Sequence, residues 1–191
     1  MLTNKDEALN FAKKVGYPVL IRPSYVLSGA SMRVSYDEKT LKDTLDLAAA
    51  VSKEYPVVIT KFFTGAREIE ADGVCDGKNV FIGAIVEHIE NAGVHSGDAT
   101  MSIPPQTVSD KVIKTIEENT REIALALKIR GPFNVQYLVK NEEVYVIECN
   151  LRSSRSMPYV SKTRGINLMR IAAEVFMGKM IPEKREVPIH P

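Results

Sequence analysis

Three side chains in the C-terminal third form the sharpest chemical pattern in the sequence. In the run EVYVIECN (143–150) alternate residues share a face, so Glu148 and Asn150 project to one side, roughly 7 Å apart by strand geometry. Gln136 lies in FNVQYLV (133–139) among apolar neighbours, where a long amide needs a hydrogen-bond partner. If these runs pair as a hairpin across Asn141, then Gln136, Glu148 and Asn150 converge. One carboxylate and two amide carbonyls make an all-oxygen set suited to Mg²⁺, which also keeps waters and substrate phosphates as ligands. In the plainer reading Gln136 and Asn150 only satisfy backbone groups at strand ends, and spacing alone leaves both readings open.

Arg152 and Arg155 follow within a few residues of that acid. A guanidinium fork matches phosphate or carboxylate oxygens, and phosphoryl transfer needs positive groups around the migrating group. Arg22 and Lys61 stand in short apolar runs, where cations are uncommon unless paired; each either meets an anion such as a nucleotide phosphate or snorkels to the surface. The loop HIENAGVHSGDAT (88–100) gathers His88, Glu90, His95, Ser96 and Asp98 between glycines, and long polar loops in compact domains are usually functional. Its histidine spacing is not that of a zinc site, and no nucleophile elbow accompanies His95, Ser96 and Asp98. Glu68, Glu70 and Asp72 alternate onto one strand face and read as a solvated row, with room for one nucleotide or ion ligand among them. Neither GxxxxGK[ST] nor GxGxxG occurs, so ATP binding would need a route other than those glycine-rich loops.

The elements that must position these residues follow from periodicity. A helix over about 4–15 is capped by Thr3, and YPVLIRPS reads as a buried strand ending at Arg22. A strand–loop–strand hairpin is expected around 28–31, then a helix over 38–53 capped by Asp37 with Leu41, Leu45, Ala48 and Ala49 inward. PVVITKFF (56–63) is a short strand, and Thr64 and Gly65 read as a hinge. Beyond them, strands over 67–74 and 80–88 flank the turn DGKN, and 89–105 reads as one long loop. A helix over 109–127 places Val112, Ile116, Ile123 and Leu127 on one face, two strands flank Asn141, 151–165 reads as irregular, and a last helix spans 166–177. The expected domains are a small α+β lobe (1–63), a larger lobe with an antiparallel sheet (64–180) and a tail (181–191). Strands and helices do not alternate as βαβ units, which argues against a Rossmann fold.

At 191 residues the chain can bury one substantial core or two small lobes, and 45% hydrophobic with 26% charged residues is an ordinary globular composition. Net charge is +1, with 25 basic and 24 acidic residues, so nothing global points to a nucleic-acid or membrane-surface binder. No apolar run approaches the roughly 20 residues of a membrane span, and the N-terminus has no secretory h-region. Two cysteines, Cys75 and Cys149, make no disulfide framework, so a reduced, intracellular setting is expected, cytoplasmic with a mitochondrial parent left open. The chain opens inside a helix, which reads as a boundary within a longer protein.

The segments GYPVLIRPSYVLSGASM (16–32), EHIENAGVHSGDAT (87–100), GPFNVQYLV (131–139) and VIECNLRSSRSMPYVSKTRG (146–165) resemble the large chain of carbamoyl-phosphate synthetases. RPSYVLSGASM and EHIENAGVHSGD follow its second, carbamate-phosphorylating half. The resemblance implies an α+β ATP-grasp fold, with nucleotide in the cleft between two lobes. It implies ATP, Mg²⁺ or Mn²⁺, and K⁺ near Glu68, His88 and Glu90, in the service of arginine and pyrimidine precursor synthesis. It assigns Arg22 and Lys61 to ATP, Phe63 and Glu68 to the adenine and ribose side, and Gly93, Val94, His95 and Ser96 to the pocket lining. Gln136, Glu148 and Asn150 match its metal ligands, and Arg152 and Arg155 its acceptor-holding positions. Carbamate, the remainder of the large chain and a glutaminase subunit or domain are the implied partners. Two alternatives stay open: another carboxylate- or bicarbonate-activating ligase of this fold, and a nucleotide-binding piece without turnover of its own.

Overall fold

The structure is a computed structural model that describes residues 5–23, 32–51, 57–92 and 99–182. The expected cap Thr3, the loop 28–31 and the residues Gly93, Val94, His95 and Ser96 lie outside the described residues, as do the side chains of Ala48 and Ala49. The chain divides into two compact units, Met1–Thr64 and Gly65–Pro191.

In the first unit α1 (Lys5–Val15) leads to β1 (Val19–Pro23), β2 (Arg33–Ser35), α2 (Glu38–Val51) and β3 (Val57–Lys61). The strands form an antiparallel sheet in the order β2-β1-β3. Ala8, Leu9 and Ala12 of α1 and Leu41 and Leu45 of α2 recur at helical spacing and pack on Val19, Ile21 and Ile59. Gly16 ends α1 with a positive φ of 75°, and its N–H donates to Ala12 O at 2.8 Å, a left-handed cap that glycine adopts without strain. Asp37 starts α2, its Oδ1 accepting from the Thr40 N–H at 2.7 Å.

The second unit is built on β4 (Arg67–Asp76), β5 (Val80–Asn91), β6 (Met101–Ser102), β7 (Arg130–Lys140) and β8 (Glu143–Asn150), in the antiparallel order β6-β5-β4-β7-β8. Asn141 and Glu142 both take positive φ, 52° and 65°, as a two-residue hairpin between β7 and β8 demands. Helix α3 (Asp110–Ala126) is capped by Ser109, whose Oγ accepts from Val112 N. It buries Val112, Ile116 and Ala124 against Ile69, Ala71, Phe133, Val135 and Tyr137. A second core gathers α4 (Met157–Thr163) and α5 (Leu168–Phe176) on Val74, Ala84 and Val86. Gly83 permits that approach: a Cβ there would lie 2.8 Å from both Leu168 methyls. None of the described helices is long and apolar enough to cross a membrane.

Four expectations are corrected. The stretch 151–165 is not irregular throughout: Met157 and Val160 are buried on α4, a helix too short to show periodicity. The stretch 89–105 is not a continuous loop, because β5 runs to Asn91 and β6 pairs with it at Glu87 and His88. Leu127 faces outward, 55% exposed, because it caps α3 rather than continuing it. The acidic row is not solvated: Glu68, Glu70 and Asp72 are all buried.

Candidate functional site

Strand register brings the polar residues of the second unit together. Across β7 and β8, Gln136 is the partner of Glu148 and Asn134 the partner of Asn150, while β4 sets Glu70 opposite Gln136 and Asp72 opposite Asn134. Direct cross-strand partners share a face, so two carboxylates of β4, two amides of β7 and the Glu148–Asn150 pair form one continuous polar surface.

Hydrogen bonds fix how these groups point. Gln136 donates from Nε2 to Glu70 Oε1 at 3.2 Å, which leaves its carbonyl oxygen as the available ligand atom. Asn134 donates to both Glu70 Oε2 and Asp72 Oδ1 at 3.0 Å. Asn150 donates to Glu148 Oε1 at 2.9 Å and, more weakly, to Asn134 Oδ1 at 3.5 Å. The Asn150 oxygen in turn accepts from Arg152 Nη2 at 3.3 Å. Glu148 is exposed at the sheet's edge strand, and Arg152 and Arg155 are exposed on the loop that follows.

That loop is anchored from below. Ser154 and Ser156 donate to the two oxygens of Asp72, each at 2.6 Å, and the Met157 N–H donates to Ser154 Oγ at 3.1 Å. The buried acids and serines therefore form a supporting layer for the exposed oxygens and arginines, much as outer-shell partners orient metal ligands. Only their alternation was legible in sequence. Their burial depends on α4 and α5 covering this sheet face, and α4 was the element hidden by its short length.

The electrostatics of that layer are divided. Burial pushes the Glu70 carboxyl up, but His88, Asn134 and Ser156 outweigh it and hold the group below the usual carboxylate range. Asp72 differs: burial dominates its three hydrogen bonds and raises it. Burial lowers the His88 imidazole, yet Glu70, Glu68 and Glu90 together raise it above 6.5. His88 Nε2 lies 3.0 Å from Glu70 Oε1, and its Nδ1 lies 3.9 Å from Glu68 Oε1. Ligand atoms of Glu68, Glu70 and His88 all fall within 4.8 Å of one another.

The other residues singled out in sequence stand elsewhere. Arg22 is exposed near the end of β1, and Phe63 is half-buried just beyond β3. Lys61 is half-buried and donates to Gly16 O and Tyr17 O, both at 2.9 Å, which makes it a cation at the C-terminal end of α1. Glu87, not noticed in sequence, is buried and accepts from the N–H groups of Gln106 and Thr107 and from the Thr107 hydroxyl, tying the 103–107 segment to β5.

A strand-rich unit of this topology, with an oxygen-bearing edge and adjacent arginines, belongs to the ATP-grasp class of α+β folds. A biotin carboxylase from Campylobacter jejuni, solved as a β-γ-ATP complex, matches 95% of this chain and 42% of its own at a TM-score of 0.81 and 23% identity. The chain belongs to the family of the carbamoyl-phosphate synthase L chain, ATP binding domain, which it matches over residues 1–184. It is 52% identical over 179 residues to the carbamoyl phosphate synthase large chain, C-terminal section, of Aquifex aeolicus, covering 94% of this chain and 33% of that one. It is 54% identical over 190 residues to the mitochondrial carbamoyl-phosphate synthase [ammonia] of Mus musculus, covering 97% of this chain and 13% of that one. The chain thus spans a third or less of these relatives' length.

Proposed function

We propose that the chain transfers the γ-phosphoryl group of ATP to carbamate, giving ADP and carbamoyl phosphate. The observation that carries this reading is the meeting of Gln136, Glu148 and Asn150 on paired strands, with the Arg152 guanidinium hydrogen-bonded to Asn150. An exposed carboxylate, an amide oxygen left available by Glu70 and a second amide one strand pair away suit Mg²⁺ or Mn²⁺ in donor chemistry. A cation on the Asn150 oxygen would repel the Arg152 guanidinium that donates to it, which favours turning that guanidinium toward the acceptor. A bound divalent ion supplies charge neutralisation at the phosphates.

In the transfer a carbamate oxygen attacks the γ-phosphorus, the bond from that phosphorus to the bridging oxygen breaks, and the electron pair leaves with ADP. The attacking group is already anionic, so no general base is needed. Arg152 and Arg155 hold and orient the acceptor, and Arg22 meets the nucleotide; Lys61, the other nucleotide contact by the resemblance, would have to give up Gly16 O or Tyr17 O to do so. Phe63, Glu68, Gly93, Val94, His95 and Ser96 complete the nucleotide side by the resemblance. Potassium would sit near Glu68, His88 and Glu90.

The second half of the large chain is favoured by the wording of 16–32 and 87–98 and by likeness to a relative named as a C-terminal section. The rest of the large chain and a glutaminase would be partners in the whole enzyme. ADP release from Mg-ATP with carbamate or bicarbonate as acceptor tests the reading. Carbamate should stimulate release, and Arg155→Ala should abolish the stimulation. Bicarbonate acting as well as carbamate would refute the assignment of acceptor. Nucleotide binding with no release under either acceptor would favour a binding piece that needs the rest of the large chain.

A further inference from the structure

A cavity of about 330 Å³ lies along β5, walled by Ile85, Ile103, Pro104 and Ile113, with Arg121 and Arg164 in its lining. It sits at the opposite side of the sheet from β8, so it is independent of the Glu148 site. Its volume falls within the range of small-molecule sites, roughly 300–1,000 Å³. β6 pairs with β5 only at Glu87 and His88, and no described strand pairs with β5 over 82–85 on that side. Arg121 already donates to the outward carbonyl of Val80 at 2.7 Å.

The telling group is Arg164. Its Nε is buried and has no hydrogen-bond partner among the described residues. A buried guanidinium N–H without an acceptor is costly, and an acceptor brought by a bound water or anion would satisfy it. Glu117 also lines the cavity, so two arginines exceed one acid by a single charge, which suits a monoanion better than a phosphate dianion. We propose that this cavity binds a small organic carboxylate, its oxygens paired with Arg164 and Arg121 and its apolar body lying against Ile85, Ile103 and Ile113. Forked pairing of guanidinium with carboxylate supplies the orientation, and the isoleucines supply the contact area.

Methyl NMR of the isoleucines tests this with three probes on the chain: benzoate, benzamide and inorganic phosphate. Benzoate should shift the Ile85, Ile103 and Ile113 methyls saturably, benzamide should bind at least about tenfold more weakly, and phosphate should leave them in place. Arg164→Gln should weaken benzoate about tenfold. Arg121→Gln, on an exposed helix face and at the cost of one bond to Val80 O, should weaken it a few-fold. Equal binding of benzamide and benzoate, equal competition by phosphate, or wild-type benzoate affinity in both variants would overturn the proposal. If Arg164→Gln does not fold, the benzoate–benzamide difference and Arg121→Gln decide the matter.

Discussion

Replacing His88 with glutamine should destabilise the chain in a pH-dependent way. His88 and Glu70 are 2% and 5% exposed, and their ring nitrogen and carboxylate oxygen lie 3.0 Å apart. The imidazole is raised above its ordinary 6.5, so it contributes stability that is complete below pH 6.5 and lost as pH rises through its folded value. The Glu70 carboxyl is held below its ordinary 4.5, so it contributes stability that is complete above pH 4.5 and lost as pH falls through its folded value. The pair is therefore worth most between pH 4.5 and 6.5. Removing one partner of a buried pair costs about 3–5 kcal/mol. Glutamine can still donate one N–H, and Asn134, Gln136 and Ser156 already donate to Glu70, so the expected loss is smaller, about 2 kcal/mol at pH ~5.5. For a chain of this size that is a fall in Tm of about 4–8 °C. Near pH ~9, with the imidazole neutral, the difference should shrink below about 1 kcal/mol. Calorimetric melts of both proteins in sodium buffer with chelator measure this. A Tm difference that is the same at both pH values would refute the ion pair.

Asp72→Ala should cost roughly 2–4 kcal/mol, because Ser154, Ser156 and Asn134 lose a common acceptor; hydrogen exchange at the Met157 N–H should accelerate as the arginine loop loosens. Asp72→Asn should cost less at neutral pH. The raised Asp72 carboxyl favours folding fully below its ordinary 3.8, and that advantage is lost as pH rises through the folded value, so it is absent at neutral pH. Tyr137, with its phenol pushed up to about 12 chiefly by burial, should be the last of the described tyrosines to ionise in a spectrophotometric titration. Tyr137→Phe should cost about 1 kcal/mol in denaturant unfolding, because Thr120 keeps its 2.6 Å bond to Ile116 O.

The sequence was most legible where one physical rule dominated. Positive φ at Asn141 and Glu142 follows from a two-residue hairpin that sets Tyr137 opposite Val146, but a bulge at Ile147, which nothing in the sequence announces, is what brings Gln136 opposite Glu148. Leu41, Leu45, Val112 and Ile116 declared their buried faces by helical spacing. The supporting layer was illegible for a different reason. Glu70 and Asp72 alternate as solvated acids would, and only partners distant in sequence, Asn134 at 62 or 64 residues and Ser156 at 84 or 86, make their burial tolerable. Lys61 gave no sign in sequence that two backbone carbonyls at the end of α1 were its acceptors. α4 offered too few turns for a period to emerge.

The most direct test of the central claim is a crystal structure of the chain grown with Mn-ATP, with the metal located by its anomalous signal. The account predicts an ion at ordinary metal–oxygen distance, about 2.1 Å, from the Glu148 carboxylate. It also predicts the amide oxygens of Gln136 and Asn150 within the same coordination sphere, and no such peak in Glu148→Ala. Nucleotide bound with its metal away from all three residues would contradict it.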